Sequence, residues 1–288
     1  MILIVKYDIF DLMKNFIYLL IIALFILISG CSAAENSTKS APEDRYHPLM
    51  IAHRGASSLE PEHTLLSYQR AVKDKADDIE IDLRQTKDGK LVAIHDKDVA
   101  RTTNGKGKVH DLKLSELKKL DAGKGQKILT IEEIIKTFGK STNYYIETRE
   151  DENGQLVMEK QLADILEKND LIAENKVVVE SFSEKSLRKI RSINKDIPLT
   201  RLLRDDEVSR LTPDSLRKMK TYASAVGPNA KLVNEAIVKM IHKENMQIHV
   251  FFDAESENGL TKKMLHLKVD GLFTNHPAYT RKQLDSSM

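Results

Sequence analysis

The stretch DIEIDL (residues 78–83) decides how this chain folds. Side chains of an extended strand alternate between faces, so Glu80 and Asp82 share one face while Ile79, Ile81 and Leu83 share the other. On an exposed edge strand the two acids would simply be solvated. In a barrel strand the apolar face meets the covering helices and the carboxylates point inward, which is costly unless a cation or a donor lies between them.

The flanking sequence favours the barrel. Short apolar runs at 49–53, 78–83, 91–95, 144–148, 177–182, 198–203, 222–227, 247–252 and 271–275 read as strands. Helical patterns fall at 64–75, 130–138, 155–168, 184–193, 213–220, 232–244 and 257–267. Near-continuous apolar strands separated by helices predict parallel βαβ units covered on both faces. About eight such units predict an α/β TIM barrel, (β/α)8, rather than an open doubly wound sheet. No G-x-G-x-x-G follows the first strand, which weakens a dinucleotide-binding alternative. Gly105, Gly107, Gly123 and Gly125 mark an excursion before the helix at 130, a connecting loop in the simpler reading and a lid in the other.

The chain has 288 residues, 41% hydrophobic and 31% charged, a globular composition that excludes a disordered tail, a collagen and a multi-span membrane protein. Its 45 basic and 43 acidic residues nearly cancel, leaving a net charge of +2, which argues against a nucleic-acid partner. A single cysteine, Cys31, excludes an internal disulfide.

That cysteine closes a distinctive N-terminus. FIYLLIIALFILI (16–28) is too short for a bilayer helix, which needs about 20 residues, and suits the core of a secretory signal. Ser29, Gly30 and Cys31 follow, then a polar stretch. This resembles a bacterial lipoprotein signal, which implies cleavage after residue 30, acylation of Cys31, a flexible tether over 31–47 and a barrel domain over 48–288. The expected location is the extracytoplasmic face of the cell membrane, held by the lipid. Asp8 and Asp11 precede the apolar core where basic residues are expected, so translation is expected to start at Met13.

Chemistry-bearing residues gather at strand ends, where barrel active sites lie. His53-Arg54-Gly55 ends the first strand, and His95-Asp96 follows the turn KDGK (87–90). Arginine offers planar, bidentate recognition of phosphate. Tyr145, Glu147 and Arg149 share a strand face, so Glu147 could join Glu80 and Asp82 in a hard oxygen site for Ca2+ or Mg2+. Arg149 could add a second positive contact to an anion there, or be a surface residue. One histidine at a strand end is commonly structural; two beside an acidic triplet and an arginine are harder to explain so. His47, His63, His110, His242, His249, His266 and His276 read mostly as structural or surface residues.

At HRG (53–55), PEHT (61–64), DDIEIDLRQTKDG (77–89), LVAIHD (91–96), YYIETR (144–149), VVVESF (177–182) and VDGLFTNHP (269–277), the chain resembles the glycerophosphodiester phosphodiesterase family. The resemblance runs from Leu49 to about Leu284 and implies a TIM barrel. It implies that Glu80, Asp82 and Glu147 hold a divalent cation, that His53 and His95 are the general acid/base pair, that Arg54 binds phosphate and that Glu62 supports the site. Arg149 stands where the family usually has Lys, and His63 where PENT has Asn. Phe251-Phe252-Asp253-Ala254 replaces a Trp-Thr-Val-Asn stretch that shapes the pocket for the alcohol, so Phe251 is expected to contact substrate.

Phosphodiester cleavage requires charge stabilisation at the phosphoryl oxygens, an activated nucleophile and a protonated leaving group. A cation with Arg54 meets the first need, and two imidazoles meet the others near neutral pH. The nucleophile is either cation-activated water or the substrate's own 2-hydroxyl. The expected reaction is hydrolysis of glycerophosphodiesters to sn-glycerol 3-phosphate and an alcohol. Alternatives are a lysophospholipid or a glycerol-phosphate polymer such as teichoic acid at the same site, and a non-catalytic phosphodiester-binding lipoprotein.

Overall fold

The computed structural model describes residues 46–253 and 256–287. The expected signal segment 1–30, with Met13, and the acylation site Cys31 lie outside the described residues. Among the described residues no helix is long and apolar enough to cross a membrane.

Eight parallel strands close on themselves: β1 (Leu49–Ala52), β2 (Asp78–Gln85), β4 (Asn143–Glu147), β5 (Val177–Ser181), β6 (Leu199–Leu202), β7 (Ala225–Gly227), β8 (Gln247–Val250) and β9 (Gly271–Thr274). β1 pairs with both β9 and β2, which closes the barrel. Strand β3 (Leu91–Ala93) is the exception. It runs antiparallel to β2, with Leu83 opposite Ala93 and Gln85 opposite Leu91. The expectation of a parallel unit at 91–95 is therefore corrected: the few residues between the two strands can turn a hairpin but cannot hold a crossover helix. Gly89 takes a left-handed φ of 75° in that turn, where a side chain would be strained.

The alternation in DIEIDL falls as the pattern predicts. Ile79, Ile81 and Leu83 are fully buried in an outer layer with Tyr68, Ala71, Ile134 and Leu162 from the covering helices. Glu80 and Asp82, each 1% exposed, point the other way, into the barrel. A second outer layer joins Val226, Ile248, Val250 and Leu272 to Leu216, Val238, Ile241 and Met264. Truncating Ile81 to Ala would cost about 2–5 kcal/mol through lost transfer energy and the cavity left behind. Inside the barrel, Ile51, Tyr145 and Phe273 pack together. Tyr145 Oη there bonds Thr200 Oγ1, and His249 Nδ1 at 2.7 Å.

Helix starts follow side-chain caps. Thr64 accepts from the Ser67 nitrogen to open α1 (Leu65–Lys73). Thr130 and Glu133 form a reciprocal capping box at α3 (Ile131–Phe138). Between β3 and α3 the glycine-rich excursion is neither an open loop nor a bare lid. It contains a 3-10 turn (Val109–Asp111) and α2 (Leu114–Leu117) over a small core of its own, including Val92, Ile94, Val99, Val109, Leu117 and Ile128. Its two ends meet: the Ala93 nitrogen donates to the Leu129 carbonyl at 2.9 Å, and Val92 bridges Thr130. No periodic signal announces this module, because its apolar residues are spread over irregular backbone.

Candidate active site

A cleft of about 510 Å³ is lined by His53, Arg54, Glu62, Glu80, His95, Glu147, Arg149, Glu180 and Phe251. These residues follow or sit near the C-terminal ends of β1, β2, β4, β5 and β8, where barrel loops carry chemistry. Residues far apart in the chain thus reach one site, and all three expected cation ligands are among its buried acids.

The HRG turn builds one side. Arg54 has a left-handed φ of 59°, which aims its main-chain nitrogen at Glu80 Oε2, 2.7 Å away. Its side chain reaches Asp82 Oδ2 with Nε at 3.2 Å and Glu62 Oε1 with a terminal nitrogen at 3.2 Å. Gly55, with φ of 81°, has no room for a Cβ, which would lie 2.1 Å from Ser67 Oγ. The strain of two left-handed residues in sequence is held by this packing.

The two histidines have different backing. His53 is half-buried at the edge of the cleft, and desolvation followed by the charge of Arg54 pushes its pKa down to about 3. Its Nδ1 lies 2.9 Å from Asn275 Oδ1. The Asn275 amide nitrogen donates to Glu257 Oε2 at 2.9 Å, so its oxygen must face His53. Nδ1 of His53 therefore carries the proton, and Nε2 keeps its lone pair. His95 instead donates from Nδ1 to Asp96 Oδ1 at 2.6 Å. Burial lowers its pKa, partly opposed by the charge of Asp82.

The carboxylates crowd together. Burial, then Asp82, raises the pKa of Glu80 well above the usual range. Glu147 is raised to about 8 by burial, with Arg149 opposing and Asp82 adding. Glu180 is raised by burial, then by Glu80 and Glu147, and its Oε2 is buried without a hydrogen-bond partner. Asp82 goes the other way: burial is outweighed by Arg149, His63 and Arg54, and its pKa lies well below the ordinary value. Arg149 donates to Asp82 Oδ1 at 2.6 Å, to Glu147 Oε2 and to the His95 carbonyl at 3.0 Å. It lies among the acids rather than free in the cleft.

This donor set fits a hard divalent cation. Several buried oxygens face one another, and the orphaned Glu180 oxygen lacks a positive partner that an ion would supply. His63, Glu80 and Asp82 also form a group whose potential ligand atoms all lie within 4.8 Å of one another.

Sequence reasoning missed several members of the site. Glu180 interrupts the apolar run VVVES as Glu80 and Asp82 interrupt DIEIDL, which was a usable signal. His63 is 3% exposed and bonded to Asp82, so it is no surface residue. Arg101, from the excursion, binds Glu62 through two hydrogen bonds of 2.8 Å and also reaches Asp96. Burial would raise Glu62, but Arg101 and Arg54 hold its pKa down at about 2. Phe251 stacks edge-on with Phe182 at 6.1 Å, and Phe252 and Phe273 complete an aromatic wall on the cleft.

Comparison with known proteins shows which family the chain resembles. The glycerophosphoryl diester phosphodiesterase family profile matches residues 53–279. A glycerophosphodiester phosphodiesterase of Bacillus subtilis (strain 168) is 38% identical over 89% of this chain and 95% of its own length. One of Bacillus altitudinis is 31% identical over 79% of this chain and 94% of its own length. Among solved structures, an Oleispira antarctica phosphodiesterase in complex with the product sn-glycerol-3-phosphate superposes with a TM-score of 0.70 at 23% identity, covering 83% of this chain and 97% of the other. A glycerophosphodiester phosphodiesterase of Agrobacterium tumefaciens superposes with a TM-score of 0.69 at 24% identity, covering 81% and 99%.

Proposed function

The chain belongs to the glycerophosphoryl diester phosphodiesterase family and is a phosphoric diester hydrolase, and on that premise we propose that it cleaves glycerophosphodiesters to sn-glycerol 3-phosphate and an alcohol by cation-assisted acid/base catalysis. The observation that carries this reading is the contrast between two imidazoles lining one cleft with Glu80, Glu147 and Arg54.

When bound, a divalent cation held by Glu80, Asp82 and Glu147 supplies Lewis-acid stabilisation of the phosphoryl oxygens, and Ca2+ or Mg2+ matches their oxygen donors. Arg54 is fixed by Glu62 and Asp82, and its guanidinium binds the phosphate. His53 is neutral with Nδ1–H committed to Asn275, so Nε2 accepts a proton from the attacking water, or first from the substrate's 2-hydroxyl, in which case water then opens the cyclic phosphate. His95 has the Asp96 carboxylate to stabilise its imidazolium, so it donates a proton to the departing alkoxide. Arg149 holds Asp82 and Glu147 together and spans to the backbone beside the acid.

Substrate choice falls to the aromatic wall. Phe182, Phe251, Phe252 and Phe273 favour a second substrate class, a lysophospholipid whose acyl chain rests against this wall. A lipid anchor at Cys31, outside the described residues, would place the enzyme at the extracytoplasmic face of the cell membrane, where such substrates lie. Labelling of the wild type by a fatty-acid probe, absent in Cys31→Ala, tests the anchor.

Product analysis tests the reaction. With Ca2+ or Mg2+, the purified protein is expected to release sn-glycerol 3-phosphate and choline from glycerophosphocholine, or lysophosphatidic acid and choline from lysophosphatidylcholine. Release from neither, with the protein folded, would remove the reading.

A further inference from the structure

We propose that Tyr68 and His63 form a buried relay that positions Asp82, holding its inner oxygen so that the other is presented to the cation site. This rests on the cation reading above and concerns how one ligand is held.

Asp82 has two oxygens with different surroundings. Oδ2 lies 2.9 Å from His63 Nε2 and 3.2 Å from Arg54 Nε. Oδ1 accepts from Arg149, which lines the cleft, at 2.6 Å. His63 is behind the floor of the cleft, bordering a small void with Ala93 and Ile94. Its Nδ1 is 2.8 Å from Tyr68 Oη, and Tyr68 is fully buried.

One proton arrangement satisfies the whole chain of groups. An ionised carboxylate only accepts, so Nε2 of His63 carries the hydrogen. Nδ1 then accepts from the Tyr68 hydroxyl, which burial removes from water. The relay fixes the plane of the carboxylate, since rotating it away from His63 would strand the imidazole N–H in the interior. His63 sits at a left-handed φ of 58°, a conformation that side chains seldom adopt. That backbone is what turns the ring beneath Asp82. Outer partners of metal ligands set affinity by orienting them, and their loss typically weakens binding about 10–100-fold.

Calorimetric titration of the full-length protein with Mg2+ and with Ca2+ tests the relay, with thermal melting of each cation-free variant as the check on folding. His63→Leu removes the donor and is expected to raise the dissociation constant at least about tenfold. His63→Gln returns an amide N–H toward Asp82 and is expected to stay within about threefold of wild type. Tyr68→Phe is expected to weaken binding in the wild-type background and to add nothing in the His63→Leu background. Wild-type affinity in His63→Leu, or full additivity of the two substitutions, would overturn the relay while leaving the cation site standing. A nitrogen coupling to bound Mn2+ in spin-echo spectra would also overturn it, by making His63 a direct ligand. Absence of any divalent binding by the wild type would remove the cation reading together with the relay.

Discussion

Arg101, carried on the excursion, grips Glu62 in a bidentate fork with both hydrogen bonds at 2.8 Å. The same guanidinium reaches Asp96, the partner of His95, while Glu62 holds Arg54. One side chain outside the barrel therefore ties the proton donor to the phosphate-binding arginine. Arg101→Lys keeps the charge and loses the fork. We expect kcat/KM to fall about 10–100-fold, the equivalent of one or two charge-assisted hydrogen bonds, with little change in melting temperature because Arg101 is half-exposed. Steady-state kinetics on glycerophosphocholine checks this.

His53→Ala and His95→Ala are each expected to lower kcat by about 10²–10⁴-fold, the usual worth of a positioned proton-transfer group. Circular dichroism of both variants should match the wild type. Activity within tenfold of wild type in both would refute the acid/base assignment.

Exhaustive chelation is expected to abolish turnover, and Ca2+ or Mg2+ to restore it. The buried acids repel one another without an ion, so the cation should also raise the melting temperature. At a concentration about 100 times its dissociation constant the expected gain is about 2.7 kcal/mol. Unchanged melting on adding either ion would count against the carboxylate site independently of activity.

Inside the barrel, His249 gives a pH dependence separate from catalysis. Burial lowers its pKa from 6.5 to about 4, so the folded state keeps it neutral where the unfolded chain would be protonated. Its contribution is fully present above pH 6.5 and is lost as pH falls through the window down to about 4. The loss amounts to about 3 kcal/mol over that window. Asp78 works in the opposite sense. Burial and then Asp77 raise it to about 7, so its stabilising contribution belongs to low pH and fades as pH rises through 7. Melting temperatures between pH 7.5 and 4.5 should fall less steeply for His249→Gln than for wild type, and parallel curves would exclude His249 as the source.

The barrel was legible because its rule is local. Alternation in DIEIDL assigns both faces of a strand at once, and the same parity places Glu147 in β4. The hairpin at Leu91–Ala93 was misread because an apolar run carries no direction; only the short connection after Gln85 distinguishes antiparallel from parallel pairing. Arg101 was overlooked, and the contact of His63 with Asp82 was not foreseen, for a different reason. Each acts through partners far away in the chain, and neither lies on an alternating strand face, so no periodicity marks them. Asn275 shows the same limit. Its effect on the His53 tautomer depends on Glu257 fixing its amide, a relation visible only when three elements meet.

The excursion starts and finishes at neighbouring residues, with Val92 bridged to Thr130, and it fills its own interior. It is therefore a cassette, exchangeable at a single seam without touching the closure of the eight strands. A transplanted cassette must bring its own His95 and Asp96, and with them Arg101 to keep His95 and Arg54 in register.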